Sequence, residues 1–239
     1  MYTFSLALLP YASQPYNSSR NPYNLVAGQI IGIPCAPPPI PVADPYTFPS
    51  YRSSGQGGIG QAQLDLINEM RTLWEQHVAW TRMLIISIAS DLPDEALVTK
   101  RLLRNPPDMA AVFRRYYGDE IASQFNKLFT DHLVIPARLV KAAKAGDQKA
   151  AAEEEKKWYA NADELAAFLS GINPNWSEKA LKAMLHEHLK LTKSEAVYRL
   201  TKDYAADIAV FDEIEKQALA MADEFANGIV KQFPDRFRK

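Results

Sequence analysis

A single cysteine, Cys35, in 239 residues excludes an internal disulfide framework and any zinc or redox motif built on paired cysteines. An excess of one charge is also missing. Lys+Arg 27 stands against Asp+Glu 28, so no overall field recommends nucleic acid or an anionic membrane as partner. No apolar run approaches the ~20 residues of a membrane-spanning helix. The short apolar patch between Met1 and Ser13 has no Lys or Arg ahead of it, unlike a secretory leader. The expected address is therefore the cytoplasm, with a cell or spore surface left open. Glycine-rich phosphate loops, an HExxH zinc motif and a nucleophile elbow are all lacking, so nothing local announces an enzyme.

Charge is nearly absent from one region. Residues 1–60 hold only Arg20, Asp44 and Arg52, yet carry ten of the sixteen prolines and six of the eleven tyrosines. This divides the chain into an uncharged Pro/Tyr-rich, non-helical arm, 1–60, and a helical bundle, 61–239. Two runs of the arm suit strands: Tyr2-Thr3-Phe4-Ser5-Leu6-Ala7-Leu8, and Asn24 to Ile33 with Ile30 and Ile31. Tyr46 and Phe48 follow a polyproline stretch, and Ser53 to Gly58 reads as a hinge. Ordinary disordered tails are polar and charged. An arm carrying Tyr2, Phe4, Leu6, Leu8, Ile30, Ile31, Tyr46 and Phe48 without charge is expected to dock, on its own bundle or on a neighbouring copy.

The body is periodic. Met70, Leu73, His77, Trp80 and Leu84 follow the 3-4 spacing of one helix face. The same spacing returns in Ile121, Phe125, Leu128, His132, Ile135, Leu139; in Trp158, Asn161, Leu165, Phe168; and in Leu181, Met184, His188, Leu191. The fold class expected is all-α, an antiparallel bundle of about five long helices. Their spans are about Gln61 to Ser90, Asp119 to Ala145, Gln148 to Ser170, Ser177 onward, and Asp203 to Phe233. Short helical pieces at Glu95 to Arg104 and Asp108 to Tyr117 lie between the first two, with Asn105-Pro106-Pro107 closing the former and Gly118 breaking the latter. No Gly or Pro separates the fourth helix from the fifth, so Asp203 as an N-cap is the one signal dividing them.

Tyr116-Tyr117-Gly118, Ala142-Ala143-Lys144-Ala145-Gly146-Asp147 and the stretch from Trp158-Tyr159-Ala160-Asn161-Ala162 to Phe168-Leu169-Ser170-Gly171-Ile172-Asn173-Pro174-Asn175-Trp176 resemble an uncharacterised family of bacterial all-helical proteins. The likeness covers most of residues 70–235 and leaves out the arm. It implies an all-helical fold and brings no catalytic residues with it. Some members carry the name acetylglutamate kinase, an activity that requires an α/β fold with phosphate-binding glycine loops absent here.

Candidate chemistry lies on the apolar stripes. His132 and Asn161 stand at similar distances from the turn at Gly146 and should share a layer, which His77 and His188 join if their helices pack at the same height. Three converging imidazoles would make a zinc or copper site from His77, His132 and His188. The alternative is a layer of neutral histidines satisfied by Asn161, Thr81, Thr192 and water, with no cofactor. A di-iron carboxylate centre is disfavoured, because no histidine has Glu or Asp three residues before it. Glu195 and Asp207 flank the last turn, either as an acid-base pair or as groups answered by Arg82, Arg138 and Arg199. Pro136 withholds a donor from the carbonyl of His132 and should kink the helix there. Arg101, Arg104, Arg114 and Arg115 beside Tyr116 and Tyr117 read as a solvated face rather than a nucleic-acid surface.

Two functions from different classes follow. The first is a self-associating structural or interaction protein, its arm docking on neighbouring subunits to form a homo-oligomer or filament. The second is a histidine-lined metal-binding or sensing bundle. The reading leans away from an enzyme.

Overall fold

The computed structural model describes residues 58–238, which belong to the compact unit beginning at Gly55. The arm residues Tyr2, Phe4, Leu6, Leu8, Ile30, Ile31, Tyr46 and Phe48 lie outside the described residues. Six α-helices follow one another: α1 (Gln61–Ala89), α2 (Glu95–Leu102), α3 (Asn105–Lys144), α4 (Gln148–Ile172), α5 (Glu178–Leu200) and α6 (Tyr204–Gln232). Five are long, and no strand occurs among the described residues, so the chain is an all-α bundle.

The helix starts have local causes. Asp147, Ser177 and Asp203 each accept a hydrogen bond from the backbone N–H three residues on, at 2.9, 3.4 and 3.2 Å, opening α4, α5 and α6. The break between α5 and α6 contains no glycine. Lys202 takes the left-handed conformation there, with φ 63°. Asn105-Pro106-Pro107 opens α3 instead of closing the piece before it. Proline suits a first turn, where its missing N–H has no helical acceptor to serve, and Asn105 is fully buried.

Gly118 reverses the chain within α3. Its backbone (φ 84°, ψ 179°) is the one non-helical point in that helix. Twelve residues of straight helix would separate two side chains by about 18 Å, yet Phe113 and Phe125 stack with ring centroids 4.2 Å apart. The arm 105–117 therefore descends beside the lower half of α1, where Arg115 pairs with Glu69, and the arm 119–144 climbs again. The break falls at Gly118, as expected, and at Pro136 the helix continues without a non-helical residue.

The climbing arm of α3 runs parallel to α1: Phe129 meets Trp74 at 6.1 Å, and Lys144 reaches the carbonyl of Ile88 at 2.6 Å. α5 is also parallel to α1, with His188 against His77 and Glu195 against Arg82. α4 and α6 run the other way, α4 between α3 and α5, and α6 between α5 and α1. The lower core is aromatic, with Trp74, Phe113, Phe125, Phe129, Trp176 and Phe225 all buried. At Gly228 of α6 the packing leaves no room for a side chain, since a Cβ there would stand 1.8 Å from the indole nitrogen of Trp176.

Candidate functional site

One histidine from each of the three parallel segments points into the middle of the bundle: His77 of α1, His132 of α3 and His188 of α5. Each is 2–3 % exposed. Their placement follows from the stripes, since each histidine holds a position that an apolar residue would otherwise fill.

Each imidazole is met by a side-chain amide from a neighbouring segment. Asn161 Oδ1 lies 2.9 Å from His132 Nδ1, and Gln217 Oε1 lies 2.9 Å from His188 Nδ1. The amides are oriented by their nitrogens, which donate to backbone carbonyls: Asn161 to Leu128 at 3.1 Å and Gln217 to Met184 at 2.9 Å. Both carbonyls lie four residues before the histidine served. Asn105 repeats the arrangement, its amide nitrogen donating to Leu73, four residues before His77, at 2.9 Å. Here the approach is looser. Asn105 Oδ1 and His77 Nδ1 are both buried and short of hydrogen-bond geometry, although Asn105 still favours a proton on the His77 ring. An amide oxygen can only accept, so Nδ1 of His132 and of His188 must carry the proton, and the lone pair of each neutral ring sits on Nε2.

The Nε2 atoms of His77 and His188 face each other at 3.3 Å. Nδ1 of His77 has no hydrogen-bond partner among the described residues, so a neutral His77 carrying its proton on Nε2 donates to the lone pair of His188 Nε2, and the two neutral rings share one hydrogen bond. Burial, then the neighbouring His188 and His132, hold His77 well below the usual histidine range. Burial pushes His132 and His188 down to about 4. All three are neutral at pH 7.

The rings line a cavity of about 30 Å3, whose other walls include Leu84, Ile85, Ile88, Leu133 and Val140. Thr81 and Thr192 face it too, each four residues after a histidine on a parallel helix. Neither hydroxyl has a hydrogen-bond partner among the described residues, while Asn161 meets His132 and Gln217 meets His188. Among the described residues no three His, Cys, Asp or Glu groups converge as they stand on a point that would hold a metal ion. His77 and His188 form a pair, and His132 lines the same cavity. The fourth histidine, His186, points elsewhere, to Asp163 at 2.7 Å.

Pro136 also lines the cavity, one turn after His132. The carbonyl it leaves without a helical donor, that of His132, accepts from the indole nitrogen of Trp158 at 3.1 Å. Above the cavity Arg82 binds Glu195 at 2.6 Å and Asp207 at 2.9 Å, and Arg199 adds a contact to Asp207 at 3.2 Å. Burial pushes Glu195 up to about 7 against the pull of Arg82. The two carboxylates are thus answered by arginine, and Arg138 is not part of the group. Of the surface arginines, Arg101 bonds Gln76, Arg104 pairs with Asp108, and Arg114 pairs with Asp119.

Asn105 and Gln217 are the members of the site that sequence reasoning missed. Asn105 was hidden in what read as a proline stop. Gln217 flanks the buried stripe of Ile214, Ala218 and Met221, and its amide beside an apolar stripe was the available signal. Among the described residues, no helix is long and apolar enough to cross a membrane. Comparison with protein-family models, with curated proteins and with solved structures finds no match.

Proposed function

We propose that the bundle binds one divalent metal ion, zinc or copper, through Nε2 of His77 and His188, with His132 turning in as the third ligand. The observation that carries this reading is the 3.3 Å separation of the two Nε2 atoms, with His132 lining the same cavity. Two nitrogens bound at ~2.0–2.1 Å to one tetrahedral ion stand roughly 3.3–3.4 Å apart. The amides supply what metal-bound histidines need from their surroundings, a fixed acceptor at Nδ1 that settles the tautomer and aims the ring. Low proton affinity keeps the imidazoles free to bind at neutral pH. The experiment is metal analysis of the full chain after exposure to zinc or copper and dialysis. One ion per chain is expected, lost in H188Q and in H132A. Retention in both variants, or metal-free wild-type protein, overturns the reading.

A second reading rests on composition and surface. Residues 1–60 carry Tyr, Phe, Leu and Ile with three charges, and the surface over α1 and α2 leaves Met83, Leu92 and Leu97 exposed. Both favour self-association in which the arm of one copy covers a neighbour. Light scattering on the full chain and on residues 59–239 tests it. A smaller assembly after truncation supports it, and a monomeric full chain removes it.

A further inference from the structure

We infer that the groove between α1 and α2 seats residues Pro37–Pro41 of a neighbouring copy, laid across Trp80 between Met83 and Leu97 in polyproline form. The inference rests on the self-association reading above and names the segment and the surface that meet.

The groove has the size and the walls of a docking surface. It measures about 570 Å3, with Trp80, Met83 and Ile86 on one side and Leu92, Leu97 and Val98 on the other. Leu97 is 71 % exposed, Met83 45 % and Leu92 38 %, so half of this lining faces water in the single chain. Trp80 is partly buried, and the Arg101 guanidinium stands over its ring, 4.8 Å from the centroid. The charged side chains of the groove are already engaged. Asp94 accepts from the Ser87 hydroxyl at 2.8 Å, and Arg101 donates to Gln76 at 3.1 Å. What remains on offer is apolar contact beside an aromatic ring, which suits a partner without charge.

The arm holds such a partner, and backbone chemistry picks the stretch. From Asn21 to Ala43 there is no charged residue. A strand laid on two helices would leave N–H and C=O groups unmet, because no sheet edge exists among the described residues. Pro37-Pro38-Pro39-Ile40-Pro41 escapes most of that cost, since only Ile40 carries a backbone N–H. Polyproline has no internal hydrogen bonds to protect, and aromatic-lined grooves are a common dock for it. The lengths agree. The four steps of five residues in this form span about 12 Å, and Trp80 to Ser87 on α1 covers about 10 Å. The tether agrees as well. Residues 42–57 extend to at most about 55 Å, while Gln61 at the foot of α1 lies about 33 Å along the helix from Met83. The surplus lets the segment leave its own bundle and reach the same height on a copy alongside.

The test uses the full chain throughout, with Cys35, two residues before Pro37, as a native handle. Copies carrying C35S/L97C are mixed with unaltered copies, so that a short bismaleimide can join Cys35 to position 97 only across two chains. Mass spectrometry of the joined peptides reads the product. It should form at least ten times faster than with C35S/D119C, whose substituted position is exposed beside the Gly118 turn, at the other end of α1. In light scattering, L97E should shrink the full-length assembly and L97M should leave it intact. Joining no faster at position 97 than at 119, or an unchanged assembly in L97E, overturns the inference and leaves the self-association reading standing. A monomeric full-length chain removes both.

Discussion

The indole nitrogen of Trp158 donates to the backbone carbonyl of His132 at 3.1 Å, closing the gap that Pro136 opens in the hydrogen-bond ladder of α3. The vacancy and its filling come from different helices, so each can be changed alone. Trp158→Phe leaves a buried carbonyl unmet and removes indole packing, and should cost about 2–4 kcal/mol. Pro136→Ala supplies a helical N–H to the same carbonyl. In a double-mutant cycle followed by urea denaturation, Pro136→Ala should return about 1 kcal/mol or more to the Trp158→Phe chain. Strict additivity of the two changes would show that the carbonyl is not their common link.

Acid should destabilise the metal-free protein. His132 and His188, about 4 when folded, and His77, held well below the ordinary range, take up protons near pH 6.5 once unfolded. Their contribution is present above pH 6.5 and lost as pH falls toward 4. Glu195, pushed up to about 7, has the opposite sign, because the folded chain keeps its proton where the unfolded chain releases it. Near pH 5.5 the unfolded chain thus binds up to three protons on these rings against one on Glu195. Stability should rise with pH, by up to about 2.7 kcal/mol per pH unit. Urea midpoints measured from pH 4.5 to 7 check this, and a flat or falling trend would contradict it.

Arg82 is the common partner of two carboxylates that are 1–2 % exposed at their side chains. Arg82→Met leaves Glu195 without its cation, while Asp207 keeps Arg199 at 3.2 Å. Breaking a buried pair from one side typically costs about 3–5 kcal/mol. Glu195→Gln added to Arg82→Met should restore part of that loss, and thermal denaturation of the two variants gives the comparison. Equal melting temperatures would mean that Glu195 is not the source of the penalty.

Gly228→Ala should run against the usual preference of helices. Alanine in place of helical glycine normally gains about 1 kcal/mol. Here the added Cβ would sit 1.8 Å from Trp176 Nε1, displacing a ring that donates to Glu224 at 3.2 Å. A net loss of at least about 1–3 kcal/mol is expected, together with a shifted tryptophan emission maximum. A stabilised variant with unchanged emission would show that the indole moves freely.

Much of this architecture is legible in residue spacing, because burial of one face imposes a 3-4 rhythm that survives without knowledge of the neighbours. That rhythm places His77, His132 and His188 inside. The short turn at Gly146 brings His132 to the height of Asn161, and Asp203 marks the last turn. The partners were not legible. Whether Thr81 or Gln217 answers a ring depends on rotations between helices that no single stripe records. The reversal at Gly118 was visible only as a break, since a glycine states that the chain can turn and not by how much. Lys202 at φ 63° is a site where the expected glycine is absent, which is why the boundary before α6 was faint.

The reversal at Gly118 also sets the order in which the site can come into being. It makes α1 and the climbing arm of α3 parallel neighbours, so that the gap beside them is closed by α5 and α6, and His188 lies 111 residues beyond His77. The amide that sets the proton of His188 comes 29 residues later still, on α6. During synthesis the first two histidines leave the ribosome long before their companions. A nascent chain stalled within α5 holds an incomplete histidine layer with an unfixed tautomer, and the layer is complete only after α6 has emerged and closed against α1.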